Sequence, residues 1–122
     1  MPKLIELFEQ ETTPFVSMEY FPPKTEAGVE SLYDKLGRVG DMNPLFIDFT
    51  WGAGGSTSDL TLQLTLDARN KFDIVPNMHL TCTNMELSKI DHALEECKKH
   101  DINNILALRG DPPLGEEKWT AV

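Results

Sequence analysis

The sequence is short of positive charge, cysteine and long apolar runs. Eleven Lys and Arg stand against twenty Asp and Glu, giving a formal charge of −9 and an isoelectric point near 4.6. No basic stripe is present, which argues against a nucleic-acid partner. No run approaches a membrane span, and Met1-Pro2-Lys3-Leu4-Ile5-Glu6 does not read as a signal peptide. The two cysteines, Cys82 and Cys97, sit in no metal-ligand spacing. Without a secretory signal they read as reduced thiols of a cytoplasmic protein. His79 has no second histidine at ligand spacing, since His92 and His100 fall on a helix surface, so no metal is expected. What is present is 122 residues, 40% hydrophobic and 25% charged, which suits one soluble globular domain.

Four short apolar runs recur at an even pace: residues 15–19, 46–50, 77–82 and 105–109. Each is followed by turn residues, namely Pro22-Pro23, Gly52-Ala53-Gly54-Gly55, Thr83-Asn84 and Gly110-Asp111-Pro112-Pro113. Their polar ends, Glu19, Thr50, His79 and Arg109, lie 31, 29 and 30 residues apart, the pace of successive β-α units. Between the runs the spacing predicts helices. The first spans Thr25 to Gly40, with Val29, Leu32, Tyr33, Leu36 and Val39 on one face, Thr25 as N-cap and Gly37 or Gly40 as terminator. In the second, Leu60, Leu62, Leu64 and Leu66 alternate like a strand. Length, the Ser56 to Asp59 cap candidates and the need for a crossover favour helix. The third opens with a capping-box pattern, Thr83 to Glu86, followed by a stripe of Leu87, Ile90, Leu94 and Cys97. Lys98, Lys99 and His100 stand at its C-terminal end, where the helix dipole favours positive charge.

Strand parity carries the fold expectation. One side reads Val16, Met18, Ile47, Phe49, Met78, Leu80, Cys82, Leu106 and Leu108, all apolar. The other reads Ser17, Glu19, Asp48, Thr50, Asn77, His79, Thr81, Ala107 and Arg109. A doubly wound sheet is covered on both faces and should be apolar on both. A polar face that sharpens toward strand C-termini fits a barrel with outer helices and a reactive mouth. The expected class is therefore α/β, a partial (β/α)8 TIM barrel of about four β-α units.

Each candidate residue has a functional and a plainer reading. Glu19, held before Tyr20-Phe21-Pro22-Pro23, suits a general acid or a solvated strand-end carboxylate. The turn from Thr50 to Ser56 lacks both the P-loop lysine and the third glycine of a dinucleotide fingerprint. Its glycines admit a flat cofactor or simply let the chain turn, and Thr50 either donates to that cofactor or bonds local backbone. His79 is a ligand-facing group or a satisfied core histidine. Arg109-Gly110-Asp111 sets opposite charges at the mouth or pairs within its own turn. Asp48 reads as structural, partnered by Arg109, and Trp51 either stacks on a ligand or packs. Cys82 and Cys97 read as packing.

Four segments together carry a resemblance: Val16 to Thr25 (VSMEYFPPKT), Thr50 to Ser56 (TWGAGGS), Met78 to Asn84 (MHLTCTN) and Leu106 to Pro113 (LALRGDPP). In this order and spacing, from about residue 4 onward, the chain resembles methylenetetrahydrofolate reductase, in its eukaryotic form. The resemblance implies that residues 1–122 are the N-terminal half of a catalytic barrel. It implies FAD at the strand C-termini, electrons from NADPH or NADH, and reduction of 5,10-methylenetetrahydrofolate to 5-methyltetrahydrofolate in one-carbon metabolism and methionine supply. Glu19 matches the acid that protonates folate N5. Asp111 matches a carboxylate shared by flavin and pterin. Thr50, His79, Leu108, Arg109, Gly110 and Asp111 match cofactor contacts. The complete enzyme is expected to form homo-oligomers. A 122-residue piece, ending in open strand edges, is expected to be inactive and poorly stable alone, or to dimerise. Its alternative is a non-catalytic short product that pairs with a full-length subunit.

Overall fold

The computed structural model describes residues 1–51, 58–82, 85–109 and 115. Helices and strands alternate along the chain: α1 (Leu4–Gln10), β1 (Ser17–Tyr20), α2 (Glu26–Asp41), β2 (Phe46–Phe49), α3 (Ser58–Phe72), β3 (Pro76–Thr81), α4 (Leu87–Lys99) and β4 (Ile105–Leu108). The strands form one parallel sheet in the order β1-β2-β3-β4. Each lies beside its predecessor and is reached through a helix. A doubly wound sheet reverses direction at a switch point. A one-way order with right-handed crossovers puts the crossover helices α2, α3 and α4 on the same side, as in the first units of a β/α barrel.

Local chemistry explains the helix limits. Thr25 caps α2 by accepting from the Gly28 amide at 3.1 Å. A Cβ on Gly28 would lie 2.9 Å from the Pro23 Cβ, so glycine lets the proline exit from β1 fold over the first turn. Contrary to expectation, neither Gly37 nor Gly40 ends this helix. It runs to Asp41, and the chain leaves through Asn43 in the left-handed region (φ 52°). A Cβ on Gly40 would meet the Phe72 carbonyl and Ile74 at 3.6–4.0 Å, ordinary contact distance, so the packing of α2 there does not depend on glycine.

The ambiguous leucine segment is the helix α3. Leu62 and Leu66 join Trp51, Met78, Leu80, Met85, Ala93, Cys97 and Ile102 in one core cluster. Leu64 and Ala68 join Leu32, Leu36, Val39, Ile47, Phe49 and Ile74 in another. Being buried on both flanks, α3 places leucines on a wide arc, and that arc imitates strand alternation.

Four further expectations fail. Glu86 is the N-cap of α4 rather than its third helical residue, with no side-chain cap bond, and Thr83 lies outside the described residues. Ala93 and Cys97 are the buried residues of α4, while Leu87 and Leu94 of the expected stripe are exposed. The parity assigned to the last strand is reversed. The register pairs Met78 with Ile105 and Leu80 with Ala107, and His79 with Leu106 and Thr81 with Leu108. Residues paired across a parallel ladder share a face. Ile105 and Ala107 therefore belong to the helix side and the two leucines to the inner side. Cys82, expected to pack, is exposed.

Helix α1 has no counterpart among the sequence expectations. Its start is held by the Lys3 amide donating to Glu6 Oε2 at 2.9 Å. Buried Asn104 ties the segment down, accepting from the Leu4 amide at 2.8 Å and donating to the Pro2 carbonyl at 3.1 Å. Asp101 accepts from the terminal amine of Met1. Among the described residues, no helix is long and apolar enough to cross a membrane.

Candidate functional site on the inner sheet face

Register builds the site. Glu19 pairs with Asp48, and Asp48 with Asn77, so one polar row crosses β1, β2 and β3. His79 stands two residues further along β3, on the same face. Asn77 Nδ2 donates to Asp48 Oδ1 at 2.7 Å, and His79 Nε2 lies 3.1 Å from the same oxygen. His79 Nδ1 lies 4.0 Å from Glu19 Oε1. The His79 and Asp48 side chains are 15% and 18% exposed, against 50% for Glu19. The array therefore runs from a held carboxylate, through an imidazole, to a carboxyl open to the mouth. Asp48 takes Asn77 and His79 as partners where Arg109 was expected.

Thr50 is buried at the end of β2. Its amide donates to the Tyr20 carbonyl at 3.0 Å, and its own carbonyl accepts from Thr61 Oγ1 at 2.9 Å. Its hydroxyl lies 3.5 Å from the Tyr20 carbonyl, so it faces the backbone of the neighbouring strand β1. Leu108, on the inner side of β4, is 38% exposed. Arg109 follows it, with its carbonyl accepting from Thr81 Oγ1 at 2.8 Å. Gly110 and Asp111 lie outside the described residues. Trp51 is buried in the helix-side core and its Nε1 points to Met85 Sδ at 3.5 Å, so it packs instead of offering a stacking face. A cavity of about 180 Å³ among Trp51, Ser58, Leu62, Lys89 and His92 shares no residue with the inner-face array.

The structure thus brings Glu19 and His79 together and leaves Thr50 bonded to backbone. It adds Asp48 and Asn77, which sequence reasoning had placed on the polar face without a functional role. Their signal was parity: a mid-strand carboxylate and a mid-strand amide of inward phase need each other.

Consecutive β-α units with acid and imidazole groups on the inner face define a β/α-barrel segment of the kind that carries its chemistry at the strand ends. The chain belongs to the methylenetetrahydrofolate reductase family, whose model matches residues 3–122. It is 52% identical over 120 residues to "Methylenetetrahydrofolate reductase (NADH) 1" of Arabidopsis thaliana, covering 98% of this chain and 20% of that protein. It is 47% identical over 126 residues to "Methylenetetrahydrofolate reductase 2" of Saccharomyces cerevisiae, covering 98% of this chain and 21% of the relative. Against "5,10-methylenetetrahydrofolate reductase" of Escherichia coli it is 29% identical over 103 residues, 84% of this chain and 35% of the relative. The chain spans about a fifth of the length of these plant and fungal relatives.

Proposed function

We propose that this chain supplies the acid-bearing part of a site that reduces 5,10-methylenetetrahydrofolate to 5-methyltetrahydrofolate, with FAD as the bound carrier and a nicotinamide as electron donor. One observation carries the reading. Glu19, a half-exposed carboxyl, stands near the C-terminal end of β1 beside His79, within a chain whose family match runs through both.

The described part of the mouth fits a flavin. Exposed Leu106 and Leu108 offer an apolar floor for a planar ring, and His79 on the same face offers a polar edge. Thr50, His79, Leu108 and Arg109 would hold the group, together with Gly110 and Asp111. Bound there, it supplies a two-electron hydride reductant. The chain's own part is proton chemistry. Glu19 donates from its carboxyl to N5 of the folate, which opens the ring toward an electrophilic iminium carbon. Asp111 meets the pterin and orients it. NADH is the donor that the name of the Arabidopsis relative supports. Two free thiols support a reducing, cytoplasmic setting, in which the complete protein assembles as a homo-oligomer.

Glu19→Gln in the flavin-loaded protein that carries this segment is the direct test. Folate reduction should fall roughly 100-fold or more, with flavin reduction by NADH held within about twofold. Loss of both half-reactions, or of neither, would remove Glu19 from the acid role. A higher kcat/KM with NADPH than with NADH would overturn the choice of donor.

A further inference from the structure

Asp48 Oδ1 receives two groups, Asn77 Nδ2 at 2.7 Å and His79 Nε2 at 3.1 Å. A carboxylate offers only acceptor sites, so the neutral imidazole carries its hydrogen on Nε2. The lone pair is then on Nδ1, the ring atom turned toward Glu19 Oε1 at 4.0 Å. Glu19 and Asp48 stand directly opposite each other on neighbouring strands, an unfavourable placement for like charges, and the imidazole reaches both.

We propose that Asp48 is a positioning residue, which by holding His79 through Nε2–H, with Asn77 as its own anchor, leaves Nδ1 as the ring atom that exchanges protons and aims it at Glu19. The inference rests on the acid role proposed for Glu19. An acid that gives its proton to substrate must recover one in each cycle, and His79 returns it. A solvent proton adds at Nδ1. The Nδ1–H bond then breaks as the Glu19 Oε1–H bond forms. Nε2 keeps its hydrogen, bonded to Asp48, so the ring comes back to its starting tautomer, and no electrons are exchanged. The 4.0 Å separation exceeds a hydrogen bond, but Glu19 is half exposed and free to turn toward the ring.

Two measurements on the protein that carries this segment test the proposal. Nitrogen-15 NMR of the His79 ring should show hydrogen on Nε2 and a bare Nδ1, with this preference lost in Asp48→Ala. Hydrogen on Nδ1 in the unsubstituted protein overturns the proposal. In multiple turnover, Asp48→Ala should slow folate reduction roughly tenfold while sparing flavin reduction, and imidazole added to the buffer should restore the rate. An unchanged rate, or a slowing of both half-reactions that imidazole does not restore, assigns Asp48 a merely structural part and overturns the proposal. If Asp48→Ala does not fold, Asn77→Ala carries the same test, because it frees the Asp48 carboxylate. An unchanged tautomer and rate there count against the proposal. Failure of the unsubstituted protein to reduce methylenetetrahydrofolate would strike the functional reading instead, and the NMR result would still decide the hold of Asp48 on His79.

Discussion

Thr25 turns its hydroxyl oxygen to the Gly28 amide and satisfies one of the donors left free at the start of α2. In Thr25→Ala that amide must find water. The chain should lose about 1 kcal/mol, read from its urea midpoint. No loss would mean that Pro23 packing on Gly28 alone holds the turn. At α4 the similar pattern Thr83 to Glu86 led elsewhere, because Glu86 became the cap residue and its carboxylate accepts from Ser88 Oγ at 3.4 Å. The polar face is legible in the sequence, since alternation alone puts Glu19, Asp48, Asn77 and His79 on one side. Their pairing is not. Asp48 meets His79 rather than Arg109 because of the β2–β3 register, and no local pattern encodes the register of strands so far apart in sequence.

Helix α3 is the element that joins the two core clusters. Leu64 is fully buried, so Leu64→Ala should cost about 3 kcal/mol in chemical denaturation. Leu94, 41% exposed on α4, should tolerate alanine within about 0.5 kcal/mol. Equal costs would restore the stripe expected from sequence. That stripe was misread because a 3.6-residue period shows which residues share a face, not how far the neighbouring elements cover it. The same limit reversed β4: a run of Ile, Leu, Ala and Leu has no alternation to read, so only its ladder to β3 sets the phase. A polar pin adds to the apolar contact between α2 and α3. The Tyr33 hydroxyl and Lys71 Nζ both donate to buried Asp67. Burial pushes this carboxyl up, but the bonds from Tyr33, Lys71 and Gln63 together outweigh it and hold it below its ordinary value.

Across the whole molecule these groups set a pH window. Asp67, Asp101 and Glu11 are all held below the ordinary carboxylate range, the first by the pin and the others by hydrogen bonds from the terminal amine and from Thr13. The folded chain binds their protons more weakly than the unfolded chain. Their stabilisation is therefore present above the ordinary carboxylate pKa and is lost as pH falls through the lowered values. Between neutrality and the isoelectric point near 4.6, acidification also relieves the self-repulsion of a net charge of −9, so the acid loss should begin only below that range. The alkaline side has the opposite sign. Burial, with a smaller push from the Glu96 charge, raises the Cys97 thiol from 9.0 to about 11. Burial and the bond to Asp67 also raise the Tyr33 hydroxyl. Above pH 9 the unfolded chain releases the Cys97 proton while the folded chain keeps it. This stabilisation is fully present below pH 9.0 and is lost as pH rises toward about 11. Cys97→Ala should lower the stability at neutral pH by leaving a small cavity, yet flatten its decline between pH 9.0 and about 11, as read from urea midpoints across that range. An equally steep decline in the variant would place the alkaline loss on Tyr33 and the α2–α3 pin, and Tyr33→Phe would then remove it.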